Sequence, residues 1–138
     1  IGTKRQFAVR KGQFLLSKID ARNGAFGIVP EELDRAIITA NFWTYEVNHK
    51  LLDIEWFNLY VSLPEFIEIC EKTSSGSTNR KYLKEKKFLD FQIALPSLEE
   101  QNEMICKYNR IREGMELVMS ELQDSKELIL ANLLNSFK

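Results

Sequence analysis

The hydrophobic period of the chain changes within one stretch, Phe88-Leu89-Asp90-Phe91-Gln92-Ile93-Ala94-Leu95-Pro96-Ser97-Leu98-Glu99-Glu100-Gln101. From Phe91 to Leu95, apolar residues alternate with polar or small ones, which predicts a β-strand that Pro96 ends. Ser97 and Glu100 have the spacing of a capping box, in which each side chain bonds the other residue's backbone N–H at the start of a helix. The stretch therefore predicts a compact mixed domain over residues 1–96 and one long helix over residues 97–138.

The residues before this junction predict an α+β fold that is rich in β-strands and has short helices. Val, Ile and aromatic residues are concentrated in the segments that we interpret as strands, which are 7–9, 14–20, 25–29, 36–39 and 42–47. Asp53 can cap a helix that runs to Val61, and Pro64 suits the first position of a helix that runs to Lys72. We expect a mobile loop over residues 73–79 and a basic connector over residues 80–87.

The bulk composition is that of a soluble globular domain with an appendage. The chain has 138 residues, of which 44% are hydrophobic and 28% charged. No apolar run approaches the roughly 20 residues that a membrane-spanning helix needs. The chain begins Ile1-Gly2-Thr3, so we expect it to be a piece of something longer. The isolated Cys70 and Cys106 predict buried thiols in a reducing compartment.

Positive charge is concentrated in the first part of the chain. Residues 1–96 carry 14 Lys and Arg against 12 Asp and Glu, whereas residues 97–138 carry 5 against 8. Within the first part, two clusters contain mostly cationic side chains: Lys4, Arg5, Arg10, Lys11, Lys18 and Arg22, and then Arg80, Lys81, Lys84, Lys86 and Lys87. Each cluster alone is typical of a solvated surface, but together they would form a nucleic-acid patch if the fold brings them to one face.

The sequence offers little for catalysis. His49 is the only histidine and lies between Asn48 and Lys50 in a segment typical of an exposed turn. Cys and His lack metal-ligand spacing, and no phosphate-binding glycine loop is present. Glu65 and the later Glu85-Lys86-Lys87 faintly resemble the acidic and lysine residues of metal-dependent nucleases. However, Glu65 opens a predicted helix, so we regard an autonomous nuclease or methyltransferase as the weakest hypothesis.

The residues around positions 75–81 are our main candidates for DNA contacts. Small hydroxyl and amide side chains can hydrogen-bond phosphates or base edges, and arginine can bind guanine through two hydrogen bonds. The alternative is a plain flexible connector. The full set of candidate DNA-binding residues is Lys4, Arg5, Arg22, Asn23, Ser75, Gly76, Ser77, Thr78, Asn79, Arg80, Lys81 and Lys84.

The predicted long helix has a coiled-coil seam. Apolar residues recur at alternating steps of three and four, which is the pattern of a and d positions, and Ser125 is a polar interruption. The candidate interface residues are Tyr108, Ile111, Met115, Val118, Leu122, Ile129 and Leu133. Such a seam needs a partner helix, and the match available to this chain is a second copy, so we expect a two-fold dimer through these helices.

Three segments in order are similar to the DNA specificity subunits of type I restriction–modification systems. They are Ser17-Lys18-Ile19-Asp20-Ala21-Arg22-Asn23-Gly24-Ala25-Phe26-Gly27-Ile28-Val29-Pro30, then Ser75-Gly76-Ser77-Thr78-Asn79-Arg80, and then Ile93-Ala94-Leu95-Pro96-Ser97-Leu98-Glu99-Glu100-Gln101. The resemblance covers the chain from about residue 7 to the end. Ser97 departs from it, since the family often has a second proline there, and further strands that usually precede these segments are missing.

The resemblance implies a target-recognition domain followed by a spacer helix, with no chemistry of its own. In that family each recognition domain reads half of a split site in double-stranded DNA, and the helices dock methyltransferase (modification) subunits. The helices of the two halves run antiparallel there, which implies an antiparallel dimer here with the recognition domains at opposite ends. The resemblance places S-adenosylmethionine, ATP, Mg²⁺ and DNA cleavage with the modification and restriction subunits, so no cofactor is expected here. It also implies the cytoplasm of a bacterium or archaeon.

The alternative function is a protein-interaction scaffold that is assembled through the coiled-coil helix. Binding that depends on several phosphate contacts falls steeply with salt concentration, and this dependence would separate DNA reading from a scaffold.

Overall fold

The structure, a computed structural model, describes residues 5–137 and has a β-rich part with short helices followed by one long helix. The strands are β1 (Gln6–Ala8), β2 (Phe14–Ser17), β3 (Phe26–Ile28), β4 (Ile37–Thr39), β5 (Phe42–Tyr45), β6 (Ser74–Ser77) and β7 (Arg80–Leu83). The helices are α1 (Ile54–Val61), α2 (Pro64–Lys72), α3 (Glu85–Leu89) and α4 (Leu98–Ser136). Short 3₁₀ helices lie at Ala21–Asn23 and Glu31–Leu33.

The strands form three small antiparallel sheets. Strand β2 is central in the order β3-β2-β5, β1 pairs with β4, and β6 pairs with β7. Phe14 and Leu16 of β2 are buried, and the alternation of a strand sends both to the same face. That face packs against the helices to form one core, made of Phe14, Leu16, Ala21, Val61, Phe66, Ile69, Cys70 and Leu83.

Local signals predicted α1 and α2 correctly. The Asp53 carboxylate accepts hydrogen bonds from the backbone N–H of Glu55 and Trp56, at 2.8 and 3.2 Å, so it caps α1 as predicted. Pro64 occupies the first turn of α2, where its missing N–H has no helical partner to lose. The five strand segments predicted between residues 7 and 47 each contain a strand.

The second strand is shorter than predicted. It ends at Ser17, because the Ser17 hydroxyl donates to the Ile19 carbonyl (2.7 Å) and accepts from the Ile19 N–H (3.2 Å), which turns the backbone. Asp20 then adopts a left-handed backbone with φ of 50°.

The strand predicted over residues 90–95 is wrong. Helix α3 ends at Leu89, and residues 91–97 contain no regular element. No strand among the described residues pairs with this segment. Instead, Phe91 and Ile93 line an apolar cavity of about 350 Å³ together with core aromatic residues such as Phe14 and Phe66. The alternation of apolar residues reflects packing along this cavity rather than a sheet.

The cysteine prediction holds for one of the two residues. Both thiols are free, Cys70 is fully buried, and Cys106 is exposed on α4, so its predicted burial is wrong. Cys106 follows a buried position of the helix, and one residue along a helix turns the side chain by about 100°. Burial raises the pKa of the Cys70 thiol to about 11.

Helix α4 begins with the predicted capping box. The Ser97 N–H donates to Glu100 Oε2 at 2.8 Å, and the Glu100 N–H donates to Ser97 Oγ at 3.2 Å. The hydrogen bond from the Ser97 N–H holds the pKa of the Glu100 carboxyl below its usual value.

A buried amide, Gln101, fixes the first turn of this helix. The Gln101 side chain is fully buried and makes three hydrogen bonds: Oε1 accepts from the Asp53 N–H at 2.8 Å, and Nε2 donates to the carbonyls of Leu51 (2.9 Å) and Pro96 (2.8 Å). Gln101 thus connects the residues before α1 to the residues before α4, and it uses both donors and one acceptor of its amide.

The chain divides into two compact units, Ile1–Gln101 and Asn102–Lys138. The boundary lies within α4, just after Gln101. The domain assignment at residues 96 and 97 stays a prediction, because this grouping does not test which part folds alone. Among residues 5–137, no helix combines the length and the hydropathy that crossing a membrane requires.

We predict that Gln101→Ala lowers the free energy of unfolding by about 1–3 kcal/mol, because it removes three part-buried hydrogen bonds and leaves one backbone N–H and two carbonyls without these partners. Gln123→Ala is the matched control: Gln123 is exposed on the same helix, and within residues 5–137 its side chain bonds Glu127 alone. We expect that control to change stability by less than about 0.5 kcal/mol. Urea denaturation measures the stability of both variants. Equal losses in the free energy of unfolding would show that the Gln101 hydrogen bonds contribute no more than those of an exposed glutamine.

Candidate nucleic-acid interface

The candidate DNA-binding residues 75–81 lie in a β-hairpin rather than in a loop. Strands β6 and β7 pair antiparallel with Ser75 opposite Tyr82 and Ser77 opposite Arg80, and Thr78-Asn79 form the turn. The predicted mobile loop over residues 73–79 and the basic connector over residues 80–87 are therefore both wrong. Their serine- and lysine-rich composition has low strand propensity, so contacts with the rest of the domain decide the structure.

The hairpin has two faces because successive side chains of a strand point to opposite sides. Leu83 is buried in the core and Lys81 is half-buried, so their face is turned toward the domain. The other face, which we call the outer face, is exposed throughout and consists of Ser75, Ser77, Arg80 and Tyr82. The sequence reasoning missed Tyr82, although its spacing of two from Arg80 was the available signal.

Hydrogen bonds attach strand β7 to residues 18–20, the segment that follows β2. The Asp20 N–H donates to the Lys81 carbonyl at 2.8 Å, and the Lys81 N–H donates to Asp20 Oδ1 at 2.9 Å. The Leu83 N–H donates to the Lys18 carbonyl at 2.9 Å, and Ile19 forms a β-bridge with Tyr82. These contacts fix both the position and the register of the hairpin on the domain.

Four charged side chains join the hairpin to α2, and we call Asp20, Arg22, Glu71 and Lys81 the charge network. Glu71 Oε1 accepts from Lys81 Nζ, and Glu71 Oε2 lies 3.5 Å from Arg22 Nη1. Arg22 Nη2 lies 3.3 Å from Asp20 Oδ1 and donates to the Thr78 carbonyl at 2.8 Å. The hydrogen bond from Lys81, with the charge of Arg22, holds the pKa of the Glu71 carboxyl below its usual value.

Two other cationic candidates, Arg80 and Lys84, are exposed and lie outside the charge network. The Arg80 guanidinium lies over the Tyr82 ring, 5.4 Å from its centroid, a cation–π contact that leaves its N–H donors available. Lys84 is exposed at the start of α3. Within the described part of the chain, no carboxylate lies within 4 Å of Arg80 or Lys84, in contrast to Lys86, which pairs with Asp90.

The other candidate residues lie in three places. Arg5 and Asn23 are exposed, and Asn23 directly follows Arg22 in the 3₁₀ helix beside the hairpin. Thr78 and Asn79 are exposed at the hairpin turn. Lys4 lies outside the described residues. The structure thus brings Arg22, Asn23 and the hairpin together, because Arg22 contacts Thr78 directly.

The described residues show no arrangement that would bind a metal. Between residues 5 and 137, no three Asp, Glu, His or Cys side chains converge in that way. His49 is exposed in a turn. Tyr45 donates a hydrogen bond to Glu85 at 3.0 Å, and partial burial raises the pKa of its hydroxyl, which keeps this tyrosine neutral. The outer face and the charged residues next to it therefore offer hydrogen-bonding groups and positive charge to a ligand.

Comparisons with known proteins agree with this picture. The family model described as the type I restriction modification DNA specificity domain matches residues 1–108. A crystal structure of the HsdS subunit from Thermoanaerobacter tengcongensis has a similar fold, with a TM-score of 0.60 and 20% sequence identity over 88% of this chain. This chain spans 32% of the length of that one. No curated protein matches the chain significantly. The structural likeness confirms the predicted α+β fold with a long C-terminal helix.

Gly76 provides a test of the hairpin geometry. Its φ of 144° is unfavourable for other residues, and an added Cβ would overlap the Arg80 carbonyl oxygen across the hairpin. We predict that Gly76→Ala lowers the free energy of unfolding by about 1–3 kcal/mol. Gly114→Ala is the control, since an added Cβ on α4 meets nothing within 4 Å. It should stabilise the helix by about 0.5–1 kcal/mol.

Thermal unfolding of the two glycine variants measures this difference. A Gly76→Ala protein that is as stable as the wild type would mean that Gly76 does not lie close to the Arg80 carbonyl in the hairpin.

Proposed function

The chain belongs to the family of type I restriction modification DNA specificity domains, and on that premise we propose that it reads part of a bipartite DNA site for a type I restriction–modification complex. The observation that carries this proposal is the outer face of the β6–β7 hairpin. It presents hydroxyls, a guanidinium and an aromatic ring on a two-stranded ribbon whose other face is attached to the domain.

The outer face suits direct reading of bases. The major groove of B-DNA is about 12 Å wide and admits a two-stranded β-ribbon. On the outer face, Arg80 has the donors that pair with guanine, and Ser75 and Ser77 can donate to or accept from base edges. Asn79 at the turn offers an amide of the type that pairs with adenine. We assign these four residues, with Thr78, to base reading.

Cationic side chains of the first unit would neutralise phosphates. We assign Lys84 to this role, and also Arg5 and Lys4 near the start of the chain, together with the exposed amide of Asn23. Phosphate contacts position a protein on the duplex and supply affinity for every sequence alike, whereas base contacts supply specificity. The two groups of residues should therefore respond differently to mutation.

The catalytic steps would belong to partner subunits. We propose that this chain is not an enzyme itself and that it directs methyltransferase and restriction subunits to the site. S-adenosylmethionine, ATP and Mg²⁺ would act in those subunits. This division of labour places the chain in the cytoplasm, where the cell's DNA is modified.

Helix α4 supports a proposal about assembly. The helix has 39 residues and is about 58 Å long at 1.5 Å per residue. The seven seam residues are all exposed, with Tyr108 the least exposed at 46% and Ile111 and Leu122 at 63%. Such a stripe is unfavourable in water, so we propose that a second copy of this chain covers it as an antiparallel helix.

The exposed seam alone would equally favour a protein-interaction scaffold. What favours DNA reading over that alternative is the charge of the hairpin region, because Arg80 and Lys84 lack carboxylate partners among the described residues. A protein-interaction scaffold would show no preference among DNA sequences, and its binding would lack the steep salt dependence that phosphate contacts cause.

We predict that Arg80→Ala weakens binding to a duplex selected from a random-sequence pool by about 1–3 kcal/mol, because it removes a base contact. Its affinity for an unrelated duplex of the same length should change much less. Lys84→Ala should weaken both duplexes about equally and reduce the slope of log K against log salt concentration by about 0.9. Fluorescence anisotropy at several salt concentrations measures all of these quantities.

The two variants control for each other, since each removes one cation from the same region. Equal losses on the selected and the unrelated duplex for both variants would reduce Arg80 to a phosphate contact. The absence of any preferred duplex for the wild type would contradict DNA reading.

For the helix, we predict that the chain sediments as a dimer at tens of micromolar and that Leu122→Glu converts it to a monomer, because a carboxylate in an apolar seam is costly to bury. Leu117→Glu is the matched control, since Leu117 is 62% exposed on the same helix but lies off the seam. A monomeric wild type, or equal effects of the two substitutions, would contradict assembly through this seam.

A further inference from the structure

Glu71 lies at the centre of the charge network, near the end of α2, and both of its carboxylate oxygens are used. One oxygen binds Lys81 of β7, and the other lies 3.5 Å from Arg22. Arg22 in turn donates to the carbonyl of Thr78 at the hairpin turn, at 2.8 Å. A single carboxylate on a helix is therefore connected both to a strand of the hairpin and, through Arg22, to its tip.

The two cations of the network are unlike the exposed cations beside it. The Arg22 and Lys81 side chains are 21% and 23% exposed, and two carboxylates, those of Asp20 and Glu71, balance their charges. A phosphate would have to compete with both carboxylates for these donors. The network as a whole therefore presents no net charge to DNA.

We infer that Glu71 is a positioning residue for sequence reading, which holds the hairpin turn and the outer face in place through Arg22 and Lys81. This inference rests on the proposed function, since it names what orients the base-reading side chains. It assigns Arg22 and Lys81 a role in orienting the hairpin rather than in binding phosphate. The outer face reads bases only while the turn at Thr78-Asn79 stays fixed to α2.

The Glu71→Gln variant distinguishes a positioning role from direct phosphate contacts by Arg22 and Lys81. The two roles predict opposite changes in affinity for the selected duplex. If Arg22 and Lys81 bind phosphates, removing the carboxylate frees them and removes a repulsive charge, so binding to every duplex should tighten. If Glu71 positions the hairpin, the variant should lose affinity for the selected duplex and keep its affinity for an unrelated one. We expect a loss of roughly ten-fold on the selected duplex, the size of one lost base contact.

Glu68→Gln is the matched control. Glu68 lies one turn earlier on α2 and carries the same charge. Among the described residues it pairs with Lys72 alone, and both side chains are about two-thirds exposed. It should leave affinity for both duplexes within about two-fold, as expected for an exposed ion pair. Thermal unfolding of both variants verifies that they are folded at the temperature of the binding measurements.

Arg22→Met is a second variant with an independent readout, the salt dependence of binding. A positioning role leaves the slope of log K against log salt concentration unchanged while affinity for the selected duplex falls. A phosphate contact reduces the slope by about 0.9 and weakens both duplexes.

Amide spectra of the DNA-free, ¹⁵N-labelled chain test the inference without DNA. Glu71→Gln should shift the signals of Thr78, Asn79 and Lys81, and Glu68→Gln should leave them in place. If the wild type prefers no duplex, the proposed function fails and the spectra still decide whether Glu71 holds the turn. Unshifted turn signals, or tighter or unchanged binding of Glu71→Gln to the selected duplex, would overturn the inference.

Discussion

The register of the β6–β7 hairpin is the constraint on which the candidate interface depends. Side chains on a strand alternate between faces, so a slip of one residue would turn Ser75, Ser77 and Arg80 toward the domain. Burial of Leu83 in the core and the paired hydrogen bonds between Asp20 and Lys81 exclude that slip. The charge network then ties the free end of the hairpin, at its turn, to helix α2. Small polar side chains can form the outer face because the opposite face, with Lys81 and Leu83, holds the hairpin on the domain.

The two units of the chain differ in where their apolar residues lie. In the first unit, one apolar core lies beneath β2, and the candidate DNA-binding surface is polar and cationic. In the second unit, the apolar seam of α4 is exposed, and the proposed association with a second helix rests on that exposure. Gln101 is the last residue of the first unit, and its buried side chain makes three hydrogen bonds to the backbone of that unit. The proposed DNA reading and the proposed assembly would thus use separate parts of the chain.

Sequence patterns predicted those parts of the fold that depend on neighbouring residues. The cap at Asp53, the first turn at Pro64 and the capping box of Ser97 and Glu100 all act within a few residues, and the structure contains all three. The hairpin was missed because its strands are stabilised by distant partners: Lys81 bonds Asp20, which lies 61 positions earlier in the sequence. The strand expected around Phe91 and Ile93 was wrong because alternation alone does not supply a partner strand. For the same reason, the sequence showed Arg22 and Lys81 as cations but not the carboxylate of Glu71 that engages both.

The central claim is that the outer face of the hairpin contacts base edges while its inner face stays fixed to the domain. A crystal structure of the full chain bound to its selected duplex tests this claim most directly. The account predicts Ser75, Ser77 and Arg80 within hydrogen-bonding distance of base edges in the major groove, with Glu71 still bound to Lys81 and Arg22. Base contacts made by another element, with the outer face left in solvent, would contradict it.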